Sequence, residues 1–469
     1  MDNLTPRAIV RELDKYVVGQ EGAKKAIAIA LRNRERRGFL PKEMKEDVMP
    51  KNILLIGPSG VGKTELSRRM AALVDAPFVV VEATKFTEVG YVGRDVESII
   101  HDLVDASVSR VYEAKLKEVE AQAEKLANEK IVQYLYAQRT LKRKKLAAKG
   151  RGAVAVSTKA SSSESASSGA TQVTAGMAKR YLARLLAASK LEEELIEIEV
   201  SSAMESPFMD YRGGYYYGDE EVPGEPVEGG RNSGPPRRHR KVAVKEARRI
   251  LSRQEANKLL DFDQLSEEAI KRAENHGVVF IDELDKLASP PIDMGRDISG
   301  EGVQRDLLPI IEGTTVMTRC GLVKTDHILF VGAGTFYKNK PSDLIPELQG
   351  RFPLRVELSP LKQEDLERIL VEPQNSLCKQ YQALMATEVV ELTFSPEGVK
   401  EMARLAAMMN ERMENIGARR LHTIMEKVLE ELNFTAGERE GEKIVVDAGY
   451  VSDHMGDLIK NEDLSRYIL

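Results

Sequence analysis

An α/β fold, a parallel sheet flanked by helices, is predicted for this 469-residue chain by three observations. Short apolar runs rich in Val, Ile, Leu and Phe recur at 53–56, 78–81, 278–282 and 327–332, separated by helical patterns, as expected of parallel strands buried on both faces. Gly57-Pro58-Ser59-Gly60-Val61-Gly62-Lys63-Thr64 directly follows the first run and opens a helical stretch, Glu65 to Val74. Val278-Val279-Phe280-Ile281-Asp282-Glu283 ends the third run in paired carboxylates. Ligands of such sheets bind beyond the carboxyl ends of the strands, so both motifs point to one site.

Taken in order, Leu4 to Tyr16 predicts a helix with Thr5 as cap and Pro6 in the first turn; Val17-Val18-Gly19-Gln20 then leads into a longer helix to about Arg37. The glycine segment after the first strand has the spacing of a phosphate-binding loop. Its glycines let backbone N–H groups converge on phosphate oxygens at a helix N-terminus, Lys63 neutralises the β/γ-phosphates and Thr64 binds Mg²⁺. At the acidic strand end, Asp282 suits the metal shell and Glu283 suits orienting and deprotonating a water. The pair implies a nucleoside triphosphatase.

After the second strand, Gly90-Tyr91-Val92-Gly93 precedes a helix beginning near Arg94. A tyrosine between glycines either grips a passing polypeptide through apolar contact or sits half-buried in a turn, and the residues alone favour the turn. The alternation of strands and helices is interrupted from 110 to 269, which reads as an inserted domain. Arg110 to Lys149 predicts a helix projecting into solvent or a coiled-coil hairpin. Ser157 to Gly176 is rich in Ser, Ala and Gly, an amphipathic helix is expected through Ile198, and 213–236 reads as a loop whose Tyr215 to Tyr217 either grip a client chain or, the reading the residues favour, are incidental aromatics. The Lys-Arg clusters at 142–145 and 237–241 read as solvated helix and linker charge, because no stacking aromatics are interleaved with them.

Beyond the fourth run, Leu344-Ile345-Pro346-Glu347-Leu348-Gln349-Gly350-Arg351-Phe352 carries an arginine with two readings. In ring triphosphatases an arginine here reaches the neighbour's γ-phosphate; the alternative is a salt bridge at a helix end. Gly417-Ala418-Arg419-Arg420 opens a helix in a mainly helical C-terminal region, suited to a second phosphate-sensing arginine or to a solvated face. The last six residues, Leu464-Ser465-Arg466-Tyr467-Ile468-Leu469, fit either a tail inserting into a groove of another protein or a final turn packed on its own domain.

Composition narrows the class. With 69 basic and 74 acidic residues the net charge is −5, so no global field favours nucleic acid or an anionic membrane. No run reaches the roughly 18 apolar residues of a membrane span and no secretion signal opens the chain, so the cytoplasm is the expected compartment. Cys320 and Cys378 lack zinc spacing, the histidines are scattered, and no H-E-x-x-H, G-x-S-x-G or Cys-His nucleophile is found. Peptide hydrolysis is therefore expected of a partner if it occurs at all.

These motifs together resemble the AAA+ Clp unfoldases, and among them the ATPase subunits of two-component HslUV (ClpYQ) proteases. The likeness rests on GPSGVGKTE, EATKFTEVGYVGRDVE, HGVVFIDELDK, EGVQRDLLPIIEG, VKTDHILF, PSDLIPELQGRFP, ENIGARRLHT and the ending DLSRYIL, over 1–110 and 270–469. It implies a P-loop NTPase fold with a discontinuous nucleotide-binding domain (1–109 and 270–358), a mostly helical intermediate domain (110–269) and a small C-terminal lid (359–469). It further implies that Val18 and Gly60, Val61, Gly62, Lys63, Thr64 and Glu65 contact ATP, that Glu347 lies at the nucleotide site, that Arg351 acts in trans and that Arg419 is a second sensor. Gly90 to Gly93 becomes a pore loop with Tyr91 as the gripping residue of a homo-hexamer, acting on unfolded or tagged proteins, and residues 464–469 dock on the peptidase HslV. In Val331-Gly332-Ala333-Gly334-Thr335 the family's polar first sensor is displaced or absent, and no residue is assigned to it. A Clp-type chaperone acting alone or with another peptidase, and a nucleic-acid-remodelling motor, are the alternatives; the first usually carries an N-terminal zinc module and the second a basic domain, and neither is read in this sequence.

Overall fold

The structure, a computed structural model, describes residues 5–87, 94–149, 167–201, 237–288 and 298–460. Gly90 to Gly93, Tyr215 to Tyr217 and Leu464 to Leu469 lie outside them. Two compact units make up the chain, one from Met1–Arg110 with Ser266–Leu469, the other Val111–Leu265.

The first unit is built on a five-stranded sheet ordered β2-β5-β8-β1-β9, from β1 (Ile53–Ile56), β2 (Phe78–Glu82), β5 (Val278–Asp282), β8 (Leu329–Gly334) and β9 (Leu354–Glu357). Every neighbouring pair is parallel. All four apolar runs form strands; the run at 327–332 starts its strand two residues later, at Leu329. Alternate residues Ile53, Leu55, Val278, Phe280, Leu329 and Val331 pack on one face with Ile9, Leu13, Ile27, Leu31, Leu66 and Met70 from the helices Pro6–Asp14, Glu21–Gly38 and Lys63–Leu73. Thr5 caps the first of these as expected, its Oγ1 accepting from Ala8 N at 3.3 Å. On the opposite face Gly332 makes room for its neighbours: a Cβ there would lie 2.9 Å from Leu284, 3.2 Å from Leu54 and 3.3 Å from Phe352.

Two elements of this unit escape the apolar pattern. β9 is a four-residue edge strand, and an antiparallel hairpin, β6 (Thr315–Thr318) with β7 (Gly321–Lys324), buries only Val316 and Val323 of its cross-strand apolar pairs while Met317 and Leu322 stay exposed. The C-terminal part is helical, with Gln363–Val371, Leu377–Ala386, Pro396–Arg412, Arg419–Thr435 and Ala448–Lys460 around a two-stranded parallel ribbon, β10 (Glu391–Phe394) and β11 (Lys443–Val446). Leu405, Ile424, Met425, Val428 and Val446 are among its fully buried residues.

Residues 94–265 correct three sequence expectations. Of the two readings of Arg110 to Lys149 the hairpin gives way to one uninterrupted helix, Ser98–Lys149, of 52 residues; its start at Ser98 rather than near Arg94, where Arg94 forms a bridge to Phe86, is the first correction. Its Ala127, Ile131 and Leu135 are buried at helical spacing within the second unit's core. The helix expected through Ile198 ends at Ala187; Leu195–Ser201 is a strand, β3, because Ile196 and Ile198 alternate with Glu197 and Glu199 at period two. The basic run 237–241 is not linker charge but part of β4 (Arg237–Ala243), antiparallel to β3 with Glu197 opposite Lys241 and Glu199 opposite His239.

Candidate active site

The carboxyl ends of β1, β5 and β8 bring the predicted motifs together. The loop after β1 turns through two left-handed glycines, Gly60 (φ 69°) and Gly62 (φ 97°), and Gly62 caps the helix Lys63–Leu73. That puts unpaired N–H groups and the positive end of the helix dipole at the loop, an arrangement suited to an anion. Lys63 is buried, its Nζ donating to the loop carbonyls of Gly57 at 2.6 Å and Pro58 at 2.8 Å. Burial holds this ammonium below its ordinary range; Asp282 and Asp285 pull it back up and Arg419 pushes it down. All three are therefore within electrostatic reach of the loop lysine.

Register carries the acids to the same place. Glu82 at the end of β2 pairs with Asp282 at the end of β5. Across from Asp282, Thr64 Oγ1 donates to its Oδ2 at 3.3 Å. These are hard oxygen donors of the kind Mg²⁺ prefers. Among the described residues no group of three or more His, Cys, Asp or Glu is placed to hold a metal ion. Glu283 follows with left-handed backbone (φ 57°), its N–H donating to Asp282 Oδ1 at 2.9 Å. Its carboxylate meets Lys286 Nζ at 2.8 Å and accepts from Thr84 Oγ1 at 3.4 Å.

Sequence reasoning assigned nothing to the polar position ending β8. The structure puts Thr335 there, its Oγ1 donating to Asp285 Oδ2 at 2.7 Å, while Asn339 Nδ2 donates to Asp285 O at 3.0 Å. Gly334 clears the space: a Cβ on it would sit 2.8 Å from Asp285 Oδ1. The available signal was that Thr335 lies just beyond an apolar run and Asp285 three residues after Asp282.

The remaining predicted residues surround this centre. Val18 is buried in the segment entering the second helix, where the left-handed Gln20 donates to Ser359 O at 2.8 Å and accepts from Ser359 N at 3.0 Å. Val61 is buried, while the Glu65 carboxylate turns to Arg69 at 2.7 Å. Glu347 is exposed in the first turn of the helix Pro346–Arg351. At the end of that helix, Arg351 Nε and Nη2 donate to Glu312 Oε1 of the same chain at 3.0 and 2.8 Å. Of the two C-terminal arginines, Arg420 is 2% exposed and donates to Glu414 O at 2.9 Å, whereas Arg419 is exposed at the helix start.

The segment before Arg419 lies directly on the phosphate loop. Ala418 N donates to Gly60 O at 3.0 Å. A Cβ on Gly60 would fall 1.9 Å from Ile416 O, and one on Gly417 would fall 2.6 Å from Ser59 O. Only glycine at both positions permits this backbone-to-backbone approach.

Comparisons with known proteins find family models and full-length relatives that match this chain. Residues 52–101 match the model of an AAA domain (dynein-related subfamily) and residues 161–355 that of an AAA domain (Cdc48 subfamily). The chain is 49% identical over 470 residues to the ATP-dependent protease ATPase subunit HslU of Persephonella marina, covering 100% of this chain and 99% of that protein. It is 50% identical over 475 residues to the same-named subunit of Thermotoga maritima and 49% identical over 475 residues to that of Geobacillus kaustophilus, again over 100% of this chain and 99% of each relative. The likeness therefore runs through 110–269 as well, wider than the two flanking stretches in which motifs are recognisable.

Proposed function

The chain belongs to the HslU family, ATPase subunits of ATP-dependent proteases, and on that footing we propose that it converts ATP hydrolysis into unfolding of client proteins and feeds them to a separate HslV-type peptidase. The observation that carries the reading is the 3.3 Å approach of Thr64 to Asp282 beside the buried Lys63, which unites phosphate-binding and metal-holding groups at one strand edge. Val18 and the segment Gly60 to Glu65 would hold the nucleotide, with Lys63 passing from loop carbonyls to phosphate oxygens. Thr64 and Asp282 would hold Mg²⁺, which when bound neutralises charge on the β- and γ-phosphates. Glu283 orients the attacking water and takes its proton. Glu347 and Arg419 complete the site within the subunit, and Arg351 serves the neighbouring site of a homo-hexamer, stabilising charge that develops in the transition state. Tyr91, between Gly90 and Val92-Gly93, grips the client in the pore, and Leu464, Ser465, Arg466, Tyr467, Ile468 and Leu469 dock on the peptidase. A cytoplasmic setting suits these partners. Among the described residues no helix is long and apolar enough to cross a membrane.

The test is degradation of a folded client by the purified chain, an HslV-type peptidase, or both, with and without ATP. Degradation should require both proteins and ATP. ATP turnover that appears only when DNA or RNA is added would overturn the reading.

A further inference from the structure

A helix of six residues does not hold its own orientation in water, so whatever fixes Pro346–Arg351 also decides where Arg351 points. Leu348 and Phe352, both essentially inaccessible, anchor its inner side and set which face turns inward. The polar contacts that hold it come largely from one longer helix, Ile298–Glu312. Gln304, on its inner face, is 2% exposed. Its Nε2 donates to Leu287 O at 2.7 Å and its Oε1 accepts from Ile345 N at 2.9 Å. Leu287 closes the 3₁₀ turn Leu284–Leu287 that begins directly after Glu283, and Ile345 caps the arginine helix. About two turns further along the same helix, Glu312 receives the Arg351 guanidinium through the two hydrogen bonds given above. The two grips lie about 12 Å apart along the helix axis, close to the roughly 9 Å length of the arginine helix they bracket. Asn52 adds a third hold, donating to Arg351 O at 3.1 Å and accepting from Phe330 N of β8 at 3.0 Å.

A buried amide is an expensive way to fill a core position. Left unpaired it costs about 1–3 kcal/mol, whereas an aliphatic of similar size has no such requirement. With both ends used, one amide plane admits a narrow range of separations between Leu287 O and Ile345 N. Gln304 is therefore a strut between the turn behind Glu283 and the start of the arginine helix.

We propose that Gln304 is a positioning residue for ATP hydrolysis: it sets the arginine helix so that Arg351, steered by Glu312, meets the neighbouring subunit's nucleotide. This rests on the reading of Arg351 as a residue acting in trans. Gln304→Met keeps the volume and removes both hydrogen bonds. The full chain with this change should lose about tenfold or more in kcat for ATP, with KM and nucleotide Kd within about twofold and the thermal midpoint lowered by a few degrees, because Leu287 O and Ile345 N lose their partner. Glu312→Gln, at a half-exposed site safe for folding, should lower kcat about threefold with KM unchanged. Mixing supplies the readout that a merely structural role would not move. Gln304→Met subunits retain Glu283, so mixing them with Glu283→Gln subunits, which retain a well-placed Arg351, should restore turnover above that of either alone. Arg351→Ala mixed with Glu283→Gln is the control. If the control recovers and the Gln304→Met mixture does not, or if Gln304→Met has normal kcat or loses nucleotide binding, the inference is overturned while the reading of Arg351 stands. If the control fails too, that reading falls and the inference with it.

Discussion

Glu283 sits in left-handed backbone space (φ 57°), a conformation that costs a non-glycine residue about 1–3 kcal/mol and persists only where the surroundings enforce it. The hydrogen bond from its own N–H to Asp282 and the burial of Leu284 just beyond supply that enforcement, and the effect is to turn two consecutive carboxylates to different partners, Asp282 to Thr64 and Glu283 to Lys286. Glu283→Gln preserves shape and removes the proposed base. Its ATP turnover should fall at least about 100-fold while nucleotide affinity stays within about twofold, measured by phosphate release and by equilibrium binding. Stability should barely change, because the lost partner, Lys286, forms an exposed pair worth about 0–1 kcal/mol. Lys63, Thr64, Asp282 and Glu283 were legible in the sequence because their spacing along the chain is itself the chemistry. Asp285 with Thr335, and Gln304 with Ile345, were not: each pair is far apart in sequence and acquires meaning only when strands and helices bring it together. Arg351 falls between these cases, since its position is recognisable but its partner Glu312 is not.

At the scale of elements, the end of the sheet opposite the nucleotide loop carries its own electrostatic constraint. Arg34, from the helix Glu21–Gly38, donates to His276 O at 3.1 Å and His327 O at 2.9 Å, the residues leading into β5 and β8. Burial lowers the pKa of both imidazoles, with Arg34, Arg272 and Lys45 adding to the effect at His276. At His327, Arg37, Arg34 and Lys45 add to it and Asp326 opposes it. The neutral imidazoles are therefore the forms the fold prefers. Their contribution is complete above the unfolded value of 6.5 and is lost as pH falls below it, since the unfolded chain then binds protons more readily than the folded one. The urea midpoint should hold steady from pH 8 to about 6.5 and decline by pH 5.5, and His327→Gln should flatten part of that decline. A midpoint constant down to pH 5.5 would contradict the assignment. Element type was readable wherever burial imposed a clean period, as in the four apolar strands and the helices Pro6–Asp14, Glu21–Gly38 and Lys63–Leu73. It failed where strands are short and half-solvated: β9 has four residues at an edge, β6 and β7 expose alternate apolar side chains, and β3 and β4 carry charges that mimic a polar helix or a linker.

For the molecule as a whole, the proposed division of labour assigns the motor to this chain and the cutting to another. Removing residues 464–469 should then leave ATP turnover within about twofold and abolish activation of an HslV-type peptidase, measured with a small chromogenic peptide. Undiminished peptide cleavage would show that docking lies elsewhere. The sequence could not reveal that the loop at Gly60 and the segment at Gly417 touch, because more than 350 residues separate them. With no side chain on either surface, the pair has no padding to absorb displacement. A single methyl at either position would act as a wedge, so the seating of this loop against the C-terminal segment depends on the two least substantial residues of the pair.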